Sequence, residues 1–278
     1  MKIFALTLLC LGLSTTALAT DLTVTYQLKE GKKVKGEKTV YWSDQFHLMT
    51  DSANKRDVLT DNTKGIIYTI DHKNKQIEVL NAKQMAGMTG DVSQMMGDMM
   101  AKPGPKGKTM GESMEEGMKK YMGDPEKAVL QKLGTLTIAG RSCDHYLVER
   151  KGKRMEMSQE VCIDPTLNPP QGSNPELQQM AENAQGLTSG SGPMANFISP
   201  GQRDLAALKG IPLKSVDKTK TKMFLLGGTK KWDEEAISVK EGPIEASVFQ
   251  LPAAYKQIDQ GQMMQEEMEK ARKMMGGG

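Results

Sequence analysis

The sequence predicts an α+β fold, an antiparallel sheet of short strands interrupted and closed by methionine-rich helices. Three observations lead there. Short runs of apolar residues alternate with polar ones and are separated by turn signals, the pattern of half-buried strands. Many of the 22 methionines among 278 residues fall in the gaps between those runs at helical spacing. The chain also opens like an exported protein and carries two cysteines on either side of a hairpin-like turn.

The N-terminus sets the compartment. Lys2 precedes an apolar run from Ile3 to Leu13, and small residues follow to Ala17-Leu18-Ala19. This is the layout of a cleaved secretory signal, with cleavage expected after Ala19, so residues 1–19 are read as the signal and 20–278 as one exported, periplasmic domain without a membrane span. Cys10 lies within the signal behind Leu9, which does not match a lipidation site.

From Asp21 to Leu80 six strands are expected. Leu22, Val24, Tyr26 and Leu28 alternate with polar residues, and Val40 to Trp42, Phe46 to Met49, Val58-Leu59, Ile66 to Ile70 and Ile77 to Val79 follow. Between them lie turn signals such as Gly31-Lys32-Lys33, Asp51 to Asn54, Asp61-Asn62 and Asp71 to Asn74. A sheet of this kind needs a second layer over one face.

Helical insertions are expected near 81–124 and 174–209. Asn81 and Gln84 form a capping signature, after which Met85, Met88, Val92, Met95 and Met99 share one stripe. Gly87, Gly90 and Gly97 each weaken that helix by roughly 1 kcal/mol. Beyond the linker from Lys102 to Gly107, Ser113 and Glu116 read as the cap of a second helix with Met114, Met118 and Met122 in line. Asn174-Pro175-Glu176 opens a short third helix. Strands are expected again at Ile211 to Val216, Met223 to Leu226, Ala236 to Val239 and Ile244 to Phe249, and an amphipathic helix near 257–275 closes the chain.

Cys143 and Cys162 are expected to form a disulfide, as paired thiols do in an oxidising compartment. Folding the chain at Lys151 to Arg154 sets Cys143 opposite Cys162, His145 opposite Glu160 and Val148 opposite Met157, with both cysteines on one face. Opposed antiparallel residues sit roughly 4.5 to 5.5 Å apart, within disulfide reach.

Charge and motifs exclude more than they assign. A formal net charge of +3 with no clustered stripe does not point to nucleic acid. Three histidines, and no nucleophile elbow, P-loop or zinc-protease signature, leave no enzyme chemistry to build on, so no enzymatic activity and no cofactor are expected. His145 beside Glu160 is read as a surface contact rather than a catalytic pair.

The runs Val40-Tyr41-Trp42, Phe46-His47-Leu48, Arg56 to Asp61 and Gly65 to Asp71 resemble the first half of the periplasmic lipoprotein-carrier (LolA/LolB-like) superfamily. The chain is also similar to exported bacterial proteins related to that superfamily, which share a Gly-x-x-Cys hairpin element, here Gly140 to Cys143, and an ending like Leu251 to Lys256. The resemblance implies a curved antiparallel half-barrel sheet with the Met-rich helices over its concave face and an apolar cavity between. The sequence departs from the carriers in having no placeable counterpart of their lid-closing arginine, for which Arg56 is only a candidate.

The expected function is that of an exported carrier or chaperone-like protein for an apolar ligand such as an acyl chain, lipid or lipoprotein. Tyr26, Trp42, Phe46 and Tyr68 are the expected cavity residues, and Met95, Met99, Met114 and Met118 the expected lid. Two alternatives stand beside it. Met95, Met96, Met99 and Met100 place thioethers at spacings that can converge on Cu(I), and the Met-rich helices can dock an envelope protein partner through an adaptable surface.

Overall fold

A computed structural model describes residues 21–85, 101–103, 107–124, 127–170, 172, 174–180, 199–222 and 227–275. Twelve strands form one sheet: β1 (Leu22–Glu30), β2 (Lys33–Trp42), β3 (Phe46–Asp51), β4 (Arg56–Asp61), β5 (Ile66–Asp71), β6 (Gln76–Asn81), β7 (Leu130–Ile138), β8 (Arg141–Lys151), β9 (Met155–Asp164), β10 (Ile211–Thr221), β11 (Gly228–Glu241) and β12 (Lys256–Asp259). Their order is β12-β6-β5-β4-β3-β2-β1-β11-β10-β9-β8-β7. Two meanders, β1–β6 and β7–β11, are joined side by side where β1 pairs with β11. This is the expected α+β half-barrel, an open curved sheet with short helices. It is mixed rather than wholly antiparallel, because β12 runs parallel to β6.

The first meander owes its regularity to a repeated turn. Asp51, Asp61 and Asp71 each end a strand, and each Oδ1 accepts from the backbone N–H groups two and three residues on, at 2.9–3.0 Å. Lys55, Gly65 and Lys75 then take left-handed backbone, with φ of 54°, 66° and 53°, and start the return strands. An Asp side chain that mimics a backbone turn makes each hairpin a local decision.

Local patterns placed three segments imperfectly. The second helix is α1 (Met110–Met122), and it begins one turn early because Thr109 and Glu112, rather than Ser113 and Glu116, form the capping box. The carbonyl of Lys102 accepts from the Met110 N–H at 3.0 Å, which closes the preceding loop and makes Thr109 the start. Ile244 to Phe249 is no strand; Ala246–Phe249 forms a 3-10 turn after Asp21 Oδ2 accepts from the Ile244 N–H. Gln257 to Asp259, expected as the start of the last helix, belong to β12 (Lys256–Asp259), and α3 (Gln260–Met275) follows. A short helix, α2 (Pro200–Ala206), is capped by the buried Ser199 with Gln202. The expected strand at Met223 to Leu226 and the Met88 to Met100 stripe lie outside the described residues.

The disulfide is present. Cys143 and Cys162 are bonded with a Cα–Cα distance of 5.4 Å, and they sit in a core cluster with Leu22, Val24, Tyr26, Val40 and Leu213. The register is shifted by two residues from the expected one: His145 lies opposite Cys162, Val148 opposite Gln159 and Arg150 opposite Met157. The cysteines therefore bridge diagonally on their shared face, and His145 Nε2 reaches Glu160 Oε2 diagonally at 3.5 Å. The shift arises because Gly152 belongs to the paired backbone, its N–H donating to the Met155 carbonyl at 2.8 Å, so that the turn centres on Lys153-Arg154.

Candidate functional site

A cavity of about 380 Å³ lies between the sheet and the ends of α1 and α2. Register explains its wall. Val148, Gln159 and Asp217 form one cross-strand row, and Arg150, Met157 and Thr219 form the next, all on one face of β8, β9 and β10. Met122 of α1 and Ser199 and Gln202 at the start of α2 stand over it. The apolar part of the lining is thus Met122, Val148 and Met157, and polar or charged side chains, Arg150, Gln159 and Asp217 among them, make up the rest.

Glycines bring the cover down onto the sheet. A Cβ on Gly152 would stand 2.3 Å from the carbonyl carbon of Met122, and one on Gly123 would stand 2.3 Å from the carbonyl oxygen of Lys151. Only two glycines let the C-terminus of α1 lie directly on the β8–β9 hairpin. Gly201 serves α2 similarly, since a Cβ there would meet the Val129 carbonyl carbon at 2.6 Å.

Arg150 fixes the contact. It is 7 % exposed, and its Nε and Nη2 donate to the Gly123 carbonyl at 3.1 and 2.8 Å. That carbonyl belongs to the residue that caps the end of α1, where carbonyl groups lack helical partners. Burial lowers the guanidinium pKa, partly offset by the charge of Asp124. Arg56, the candidate named for the carriers' lid arginine, is exposed and lies 3.9 Å from both Asp71 and Glu78. Nothing in the local sequence separates Arg150 from any other arginine near a strand end. Its role depends on which backbone arrives above it.

The four aromatic residues expected to line one cavity stand on two faces of the sheet. Tyr26 and Trp42 lie on the cavity face, with Leu22, Val24 and Val40. Tyr26 is buried, donates its hydroxyl to the Pro212 carbonyl at 3.0 Å, and is held protonated by burial and by Glu234. Trp42 stacks on His47 at 5.5 Å, and burial lowers the His47 pKa. Phe46 and Tyr68 point to the opposite face with Leu48 and Leu59, because Trp42 pairs with His47 and Phe46 is its neighbour. There the segment after β11 crosses over them: Phe249 stacks on Phe46 at 5.1 Å and meets Tyr41 edge-on at 6.5 Å.

Of the expected lid methionines, Met114 lies on α1 and is 42 % exposed, and Met118 lies on the same helix. Met95, Met96, Met99 and Met100, which carry the rest of the lid and the copper alternative, fall outside the described residues. Among the described residues, Met122 and Met157 are the methionines that line the cavity.

No family model matches the chain, and no curated protein matches it. Solved structures that resemble it include MucB, MucB in complex with MucA(peri), and the MucA/MucB complex of Pseudomonas aeruginosa, at 12 %, 11 % and 10 % identity and TM-scores of 0.36, 0.35 and 0.36. Each match covers 85–86 % of this chain and 57–59 % of the other, so the chain spans less than two thirds of their length.

Proposed function

We propose that this protein is an exported carrier or chaperone-like protein that holds an apolar ligand, such as an acyl chain or the lipid part of a lipoprotein, between sheet and helices. One observation carries the reading: the cavity under α1 has an apolar strip of Met122, Val148 and Met157 in its lining, and hydrogen bonds from Arg150 to Gly123 fasten its cover. Methionine suits such a wall because its unbranched side chain repacks around chains of different shape. The disulfide agrees with the exported location, and among the described residues no helix is long and apolar enough to cross a membrane.

The test is binding of a fluorescent fatty-acid probe to the protein and to a variant lacking Gly87 to Met122. Loss of binding with the sheet still folded supports the reading; unchanged binding overturns it. A second reading, docking of an envelope protein partner, is favoured by the exposure of Met110, Met114, Met263 and Met264 on α1 and α3. Capture of a defined protein partner that survives mutation of Met157 would move the weight to it.

A further inference from the structure

Charge is unevenly distributed along the strand axis. Glu30 pairs with Lys33 and with Trp232, and Thr221 pairs with Gly228 and with Met155. Alternating strand direction therefore gathers the β1–β2, β3–β4, β5–β6 and β8–β9 turns and the facing ends of β10 and β11 at one rim. That rim presents Lys32, Lys55, Lys73, Lys153, Arg154 and Lys230, all exposed. None of them makes an ion pair with another described residue. The opposite rim mixes signs, with Asp21, Asp44, Glu241 and Glu245 standing near Lys83, Lys209 and Lys240. At the basic rim the lysines and arginines outnumber the carboxylates Glu30, Asp51, Asp71, Glu149 and Glu156, so the positive excess of a chain of net charge +3 is greatest at that end.

The shape of the basic rim selects its partner. Strands spaced about 4.8 Å apart spread twelve strand ends over roughly 50 Å, a broad row rather than a pocket. Between the cations stand Gly31, Ser52, Ala53, Asn54 and Asn74, and Trp232, 49 % exposed, lies opposite Glu30 at the same rim, an amphipathic side chain of the kind that sits at membrane–water interfaces. Such a row suits an extended anionic surface, where each basic side chain contributes about fivefold in affinity. The cavity lies at the same end, since Arg150, Met157 and Thr219 stand one or two residues from the strand ends Lys151, Met155 and Thr221.

We propose that the basic rim docks this protein on an anionic phospholipid surface, placing the cavity beside the headgroups where an acyl chain enters or leaves. The inference rests on the carrier reading for its purpose but not for its test. The protein is floated with vesicles of phosphatidylcholine alone and of phosphatidylcholine with phosphatidylglycerol. Binding is expected only to the anionic vesicles, with loss at 0.5 M salt through screening. Combined Lys32→Glu, Lys73→Glu and Lys153→Glu should reduce vesicle binding at least tenfold. The charge-matched set Lys83→Glu, Lys209→Glu and Lys240→Glu, at exposed positions of the far rim, should leave it within twofold.

Equal binding to neutral vesicles, equal loss in both variants, or binding to an acidic polypeptide but not to phosphatidylglycerol overturns the proposal. Uptake of the fatty-acid probe in solution, without vesicles, reads the cavity separately. Normal uptake without vesicle docking removes the rim inference and leaves the carrier reading, and docking without uptake does the reverse.

Discussion

The guanidinium of Arg150 and the carbonyl of Gly123 join the sheet to its helical cover, through two hydrogen bonds of 3.1 and 2.8 Å. The arginine is buried in the cavity wall, and the carbonyl ends a helix. Replacing Arg150 by Met keeps the bulk and removes the donors. The expected loss is about 1–3 kcal/mol of stability, concentrated in α1. Hydrogen exchange should show faster opening of Met110–Met122 while β1–β6 stays protected.

Gly152→Ala tests the close approach itself. A methyl there meets backbone of Met122 and Gly123, at 2.3 and 2.5 Å, and backbone cannot rotate away as a side chain can. The helix end must lift, at a cost of about 2 kcal/mol. Urea unfolding should show the loss, and limited proteolysis should cut near Lys119 and Lys120 sooner. Gly117→Ala, where a Cβ meets nothing within 4 Å, should be neutral or stabilising, since alanine favours the helix.

Removing the disulfide by Cys143→Ala with Cys162→Ala should cost on the order of 3 kcal/mol, the loop-closure value for a separation of 19 residues. The two cysteines are buried in the cluster that includes Leu22, Val24 and Leu213, so the urea midpoint should drop without loss of cooperativity. Retention of the wild-type midpoint under reducing conditions would contradict this.

Acid should unfold the protein through two buried carboxylates. Burial alone would raise Asp164 and Asp61, but hydrogen bonds from Thr166 and Arg141, and from Thr63 and Lys64, bring both below the ordinary carboxylate range. A carboxyl whose folded pKa lies below its unfolded value of about 3.9 contributes stability above that pH. The contribution is lost as pH falls through the folded pKa. Urea midpoints should therefore be steady from pH 7 to about 5 and decline below about pH 4. Asp164→Asn should lower the neutral plateau and flatten the decline.

Much of the sheet was legible because its determinants are local. Alternation in Leu22 to Leu28 names a strand and its buried side, and the Asp51, Asp61 and Asp71 turns set their hairpins with their own side chains. The cysteines read correctly as partners because a two-residue slip leaves both on one face. The start of α1 read one turn late because two capping signatures follow each other four residues apart, and only the closure of the loop onto Lys102 chooses between them.

By itself, then, the sequence determined where the chain is extended, where it turns, and which neighbours within a strand share a side. The tertiary structure decided how those sides combine. Trp42 and Phe46 have the same parity, yet Trp42 pairs with His47, so the hairpin sends Phe46 to the other face, away from the cavity and under Phe249. The wall of the cavity depends on the same kind of decision. Arg150 comes to lie beside Met157 and below Gly123 only because Gly152 stays in the ladder, and Gly152 stays there with the end of α1 resting on it. Period-two patterning survives any even slip of register, so it can encode faces; the choice among registers is made by backbone packed from elsewhere in the chain.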